Sequence, residues 1–164
     1  MNGVAVNISE KYQEYRKIVT QNQNEYMRLK SSILKIINQK QFVSMMNDSK
    51  WFQLLQAVES LDFPPAFLCK TLTKNVDHVS EIKFRQQIPC YLGNWQPFYC
   101  EAMPIFMTIE YILVKPLLRK HQGKLVDDLI YDQCDEFRAL LKTLNLEYSE
   151  MDACFKICAY QKYD

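Results

Sequence analysis

The chain has 164 residues, 48% of them hydrophobic and 24% charged, and ten Tyr, nine Phe and two Trp give it a large aromatic complement. That composition excludes an intrinsically disordered chain, and the length suits one domain. Twenty Lys and Arg stand against 19 Asp and Glu, a formal charge of +1; this balance excludes a simple polyanion binder and an acidic mimic of nucleic acid.

Between Gly3 and Pro64 there is neither glycine nor proline, whereas all six prolines and the other two glycines fall from Pro64 to Gly123. Both residues interrupt helices, so the asymmetry predicts a helical first part and a turn-rich middle. Ser9 can cap a helix in which Tyr12, Tyr15, Val19, Tyr26, Leu29, Ile33 and Ile36 recur at steps of three and four, with Asn22 in the vacant slot. Residues 10–40 thus read as a long helical extension that packs its stripe on a core at 42–160, because three tyrosines and an asparagine make a poor coiled-coil seam. A second helix starts at Asn47 or Asp48 and sets Trp51, Leu54, Leu55, Val58 and Leu61 on one face. It ends at Asp62-Phe63-Pro64-Pro65, since the residue before a proline is pushed out of helical geometry.

Over 66–116, turn signals at Asn75, Pro89, Gly93-Asn94, Pro97 and Pro104 separate short mixed segments, the pattern of a strand meander. Its best strand is 105–115, with Ile105, Met107, Ile109, Tyr111 and Leu113 on one face and Thr108 and Glu110 interrupting the other; it is expected to be central. Pro116 stops it, and Arg119-Lys120-His121-Gln122-Gly123 follows as a basic loop. Helical spacing returns at Val126, Leu129, Ile130, Cys134, Phe137, Leu140, Leu141 and Leu144, predicting a helix over 125–144. A last strand over 153–160 places Phe155, Ile157 and Ala159 together. The expected fold class is α+β: two N-terminal helices, a mostly antiparallel sheet, a covering C-terminal helix and a final strand, in a single domain over 1–164.

The near-neutral total conceals a polarised chain. Residues 1–50 carry eight basic and four acidic side chains, whereas 101–164 carry eight and eleven. The acids concentrate in Asp127, Asp128, Asp132, Asp135, Glu136, Glu147, Glu150 and Asp152, opposed in that stretch only by Arg138 and Lys142. On the predicted helix Asp128, Asp132, Asp135 and Glu136 line the side opposite the leucines. Such a stripe is either a solvated face near a helix N-terminus or a docking surface that steers a basic protein partner.

Signals for catalysis are sparse. Gly3, Gly93 and Gly123 are isolated, so no glycine-rich phosphate cradle is encoded. His78 and His121 lie outside any metal-binding or nucleophile-activating arrangement, and Cys100-Glu101 has no local support as a thiol site. Cys69, Cys90, Cys100, Cys134, Cys154 and Cys158 follow no zinc or disulfide spacing and read as small reduced core residues. No secretory leader or membrane-spanning run is present, so a cytoplasmic location is expected. No catalytic residue, metal or cofactor is expected, and aromatics interleaved with bases at Lys11-Tyr12 and Tyr15-Arg16-Lys17 are too weak a pattern for direct nucleic-acid binding.

The segment Phe42-Val43-Ser44-Met45-Met46-Asn47-Asp48-Ser49-Lys50-Trp51 resembles the opening of a family of small bacterial proteins that begin Met-Asn-Asp-(Ser/Thr)-Lys-Trp before an amphipathic helix. Ile109-Glu110-Tyr111-Ile112 resembles that family's Ile-Glu-Trp strand, and Phe155-Lys156-Ile157-Cys158-Ala159-Tyr160 its closing strand. Residues 1–40 stand outside the resemblance, and 72–103 departs from it. Such families look like immunity proteins of polymorphic toxin and contact-dependent inhibition systems. The resemblance implies a non-enzymatic α+β protein that neutralises a cognate toxin, with a nuclease as the candidate, by occluding its active or substrate-binding site. Asp128, Asp132, Asp135 and Glu136 are the candidate partner-binding residues, in a monomer or a dimer. The alternatives are a helical adaptor or oligomerisation module built on residues 10–40, and an enzyme of unrecognised type.

Overall fold

A computed structural model describes residues 8–97 and 103–163. The stripe expected to form one helix is divided between α1 (Ile8–Val19) and α2 (Gln23–Lys40). Asn22 makes the break: it leaves helical geometry, at φ −106° and ψ 96°, and its Oδ1 accepts a hydrogen bond from Glu25 N at 3.2 Å. Asn22, at the vacant slot of the stripe, is therefore the cap of a new helix. Ser9 lies inside α1 and not before it. Of the stripe, Tyr15, Val19 and Ile33 are buried and Tyr12 is exposed.

Gln41 ends α2 in the left-handed region, with φ 55°, and donates its backbone N–H to the carbonyls of Ile37 and Asn38. A short strand β1 (Phe42–Ser44) leads to Asn47, whose Oδ1 accepts from Lys50 N at 2.8 Å and starts α3 (Asp48–Val58). Trp51, Leu54, Leu55 and Val58 of the expected face are buried, with Phe52 beside them, but α3 stops at Val58 and leaves the half-buried Leu61 beyond its end.

The region expected to be a meander contains a strand, β2 (Ala66–Thr71), and then a helix, α4 (His78–Gln86). Asp77 caps α4 by accepting from Val79 N. Its periodicity escaped the sequence reading because Phe84 is its only buried side chain. Phe106–Thr108 form a 3-10 turn, so the central strand β3 (Ile109–Lys115) begins later than expected. Beyond Pro116 come β4 (Leu117–Lys120) and β5 (Leu129–Asp132), which pair as a hairpin. The helix expected over 125–144 is reduced to α5 (Cys134–Thr143), and the supposed basic loop places Arg119 and Lys120 in β4. Three strands close the chain: β6 (Ser149–Met151), β7 (Cys154–Cys158) and β8 (Tyr160–Lys162).

The strands pair antiparallel in the order β2-β3-β7-β6, with β1 against β8 as a separate ribbon. This is an α+β fold, and β3 is central as expected. Thr71 pairs with Ile109 but Lys70 with Tyr111, so Glu110 is an extra residue, a β-bulge. The bulge breaks the simple alternation: Ile109 joins Ile112 and Val114 in the main core, while Tyr111 and Leu113 face the other way. On the main side, Trp51, Phe106, Phe137 and Phe155 are fully buried with Leu54, Leu141 and Ile157. Phe106 stacks on Tyr15 at 4.7 Å and on Trp51 at 5.6 Å between ring centres, which fastens α1 and α3 to the sheet. On the opposite face α4 covers a smaller cluster of Ala66, Phe84, Leu113 and Cys154.

Candidate functional site

The four acids singled out by the sequence do not share a helix face. Asp128 precedes β5 and Asp132 ends it, while Asp135 and Glu136 lie in the first turn of α5. Half of this charge is answered within the fold. Asp128 meets His121 Nδ1 at 2.9 Å and Arg119 at 4.0 Å, and Asp135 receives Arg138 at 2.6 Å. Arg138 Nε also donates to Glu150 Oε2 at 2.9 Å, and these hydrogen bonds hold the Glu150 carboxyl below the usual carboxylate range. Asp132 Oδ1 accepts from Cys134 N at 2.9 Å and so acts at the start of α5. The acidic stripe is therefore a border, with β5 between its parts.

What it borders is apolar and uncovered. All four residues of β5 are exposed, Ile130 at 52%, and Leu125 in the connecting loop is 99% exposed. Cross-strand partners share a face, so Leu118, Leu129 and Tyr131 project to one side of the hairpin and Arg119 and Ile130 to the other. β5 is wet on both faces, and a two-stranded ribbon is marginally stable by itself. Here the base is clamped. Pro116 and Gln133 are buried, Gln133 N donates to Pro116 O at 3.0 Å, and Gln133 Nε2 donates to Phe63 O at 2.7 Å. Gln133 Oε1 is buried without a partner among the described residues.

The sequence reading missed this hairpin because Val126, Leu129 and Ile130 also satisfy helical spacing with Cys134 and Phe137. The available counter-signal was local: Leu-Ile-Tyr is a β-branched and aromatic run set between aspartates, the composition of a short strand.

The α4 side of the sheet holds a second polar constellation. Tyr111 donates its hydroxyl to Glu81 Oε2 at 3.1 Å, Arg85 donates to Glu81 Oε1 at 3.3 Å, and Lys70 pairs with Glu110. Burial, followed by the Glu81 hydrogen bond, pushes the Tyr111 phenol up to about 12. Lys115, only 3% exposed, donates from Nζ to the carbonyls of Phe84 and Arg85 in the last turn of α4, where a helix favours a cation. Burial holds its ammonium below the ordinary lysine range. It lines a cleft of about 540 Å³ with Ile82, Arg85, Leu117, Met151 and Asp152. Tyr111 and Lys115 thus fasten α4 to the sheet, while the Lys70–Glu110 pair ties β2 to β3.

His78 is exposed at the start of α4 and His121 in the hairpin loop, and neither meets a thiol among the described residues. Cys69, Cys90, Cys134, Cys154 and Cys158 are free thiols; Cys100 lies outside the described residues. Burial pushes Cys69 and Cys134 up to about 12, the latter aided by Asp132, so both are held as thiols. Among the described residues no group of three or more His, Cys, Asp or Glu could hold a metal ion, and no helix is long and apolar enough to cross a membrane.

Residues 33–164 match the model of a family of unknown function, DUF6678. The chain belongs to this family. No curated protein and no solved structure matches it. The DUF6678 match takes in the sheet, the hairpin and α5, but leaves out α1 and the first part of α2. Every acid of the candidate border thus lies within the DUF6678 region, whereas Tyr15 lies outside it.

Proposed function

We propose that this DUF6678 protein acts by binding another protein through the β4–β5 hairpin, and that it serves as an immunity protein that silences a cognate toxin by covering its active or substrate-binding site. The observation that carries the reading is strand β5, exposed along its whole length, whose apolar Leu129, Ile130 and Tyr131 are bordered by Asp127 and Asp128 before them and by Asp132, Asp135 and Glu136 after them. An apolar strip with a charged rim is the make-up of a protein-recognition surface, in which the apolar centre contributes affinity and the rim directs encounter. The toxin identity of the partner rests on the resemblance of the Phe42–Trp51 and Phe155–Tyr160 segments to a family of small bacterial proteins that in turn looks like immunity proteins. Toxins that attack nucleic acid carry basic clefts, which suits the carboxylate border.

Co-expression with the protein encoded beside its gene tests the proposal. The pair is expected to copurify and the toxin to lose its activity. Leu129→Asp with Tyr131→Asp is expected to abolish copurification and protection while the far-UV spectrum stays native. Retained protection by that double variant would remove the hairpin from the reading, and a neighbour with no toxicity would remove the immunity role. Charge reversal at Asp132 and Glu136 is expected to slow association in low salt by about tenfold, within the range of electrostatic steering.

A further inference from the structure

The hydrogen-bond phase of the hairpin can be read from two backbone contacts. Gln133 N donates to Pro116 O, so the pair 116 with 133 lies on the bonded rung of the ladder. In an antiparallel ladder bonded and non-bonded pairs alternate, so Leu118 with Tyr131 and Lys120 with Leu129 are bonded, while Leu117 with Asp132 and Arg119 with Ile130 are not. The backbone groups of the non-bonded residues point outward. Arg119 confirms this phase, because its N–H reaches Pro89 O at 2.8 Å, away from β5. On the other side Ile130 and Asp132 therefore direct two N–H and two C=O groups away from β4, and among the described residues none of them has a backbone partner outside the hairpin. Four backbone groups in the correct phase on an exposed strand form a template for strand addition.

We infer that the partner of this hairpin binds by strand addition: an extended, lysine- or arginine-bearing segment pairs with the free edge of β5 through Ile130 and Asp132. This inference rests on the hairpin being the docking surface. Charge selects the occupant. The free edge is bounded by Asp127 and Asp132, both exposed, so a segment with cations at its ends is matched and one with carboxylates is opposed. A second copy of the chain fits poorly. Only registers that bring Ile130 and Asp132 into bonded pairs are in phase. Centring the pairing on Ile130 sets Asp128 against Asp132 of the other copy, and centring it on Asp132 sets that residue against itself. Centring on Tyr131 leaves only 130–132 to pair.

Amide hydrogen exchange on the full chain, followed by NMR, tests the inference in two stages. In the free protein Ile130 and Asp132 are expected to exchange at least tenfold faster than Leu129 and Tyr131. The reverse pattern, or protection of all four, would mean that the edge is out of phase or already covered by this chain or a second copy, and would overturn the inference. The probe is then a synthetic peptide of about ten residues, alternating Val and Thr with Lys at both ends, beside a Glu-ended counterpart. The Lys-ended peptide is expected to slow exchange at Ile130 and Asp132 and to bind at least tenfold more tightly than the Glu-ended one.

Ile130→Pro is the decisive variant. Its missing N–H is the outward one, so the β4–β5 ladder survives, and proline is tolerated on a strand edge in that position. It is expected to weaken Lys-peptide binding at least tenfold with an unchanged melting temperature. Equal binding by Ile130→Pro, or by the Glu-ended peptide, would overturn strand addition. Loss of partner binding in the Leu129→Asp, Tyr131→Asp variant would still leave the docking surface in place, so the two readings fail separately.

Discussion

Replacing Tyr15 by Phe removes one oxygen atom from the contact between α1 and the core. Tyr15 is 5% exposed, and its hydroxyl accepts the backbone N–H of Phe106 at 2.9 Å. Its ring stacks on Phe106 and stands edge-on to Phe52 at 5.5 Å. Phenylalanine keeps both ring contacts and leaves the Phe106 N–H buried without an acceptor, a loss of about 1–3 kcal/mol. Tyr15→Ala also removes the ring and opens a cavity, which raises the expected loss to about 3–5 kcal/mol. Urea unfolding followed by tryptophan fluorescence reads both, and an unchanged m-value is needed for the differences to count as stability. In a domain of this size about 2 kcal/mol lowers the melting temperature by roughly 4–8 °C. If Tyr15→Phe stays within about 0.3 kcal/mol of the parent while Tyr15→Ala shows its full loss, the hydroxyl contributes nothing and the rings alone hold α1.

Asn22→Ala and Asn47→Ala each remove a helix cap and are expected to cost about 1 kcal/mol, measured by the same unfolding curves; additive losses in the double variant would show that α2 and α3 are capped independently. At Gly93 an added Cβ would stand 2.0 Å from Pro65 O and 2.9 Å from Trp95 Nε1. Gly93→Ala is therefore expected to break the 2.8 Å bond from Trp95 Nε1 to Pro65 O, with a loss above about 2 kcal/mol and a red shift of tryptophan emission; native emission would show that the loop gives way freely. The raised Cys69 and Cys134 thiols add an alkaline limit. Folding keeps them protonated up to about pH 12, whereas the unfolded chain releases these protons near pH 9, so this contribution is complete below pH 9 and is lost as pH rises towards 12. The melting temperature is expected to fall between pH 9 and 10.5, less steeply in the Cys69→Val, Cys134→Ala variant; an equal slope in that variant would assign the fall to other groups.

The parts of the fold legible in the sequence were those where one physical requirement acted alone. The α3 face could be read because Asn47 supplies a cap and five apolar positions follow at helical spacing, with Pro64 and Pro65 beyond. The central place of β3 followed from its hydrophobic run, and the inward set Phe155, Ile157 and Ala159 from simple alternation. Where two readings fitted the same residues, the sequence pointed the wrong way. Asn22 satisfied a stripe and a cap, and only the chain's turn decided between them. Glu110 satisfied alternation, yet as a bulge residue it transferred Ile109 to the other face. Leu129 and Ile130 fitted a helix by spacing and a strand by composition, and the buried clamp at Gln133 selected the strand. That choice also relocated the candidate site, since the acids were seen as a face and found as a rim.

Pro116 is the single residue between β3 and β4, so the candidate docking strand is tethered through its partner to the most deeply held strand of the sheet. A load applied to the hairpin passes along β3, whose hydrogen bonds to β2 and β7 run across the pulling direction and must slide together before any gives way. Peeling those strands apart one rung at a time would need a force from the side. A load on β5 therefore enters the domain through its central strand, which is paired on both sides.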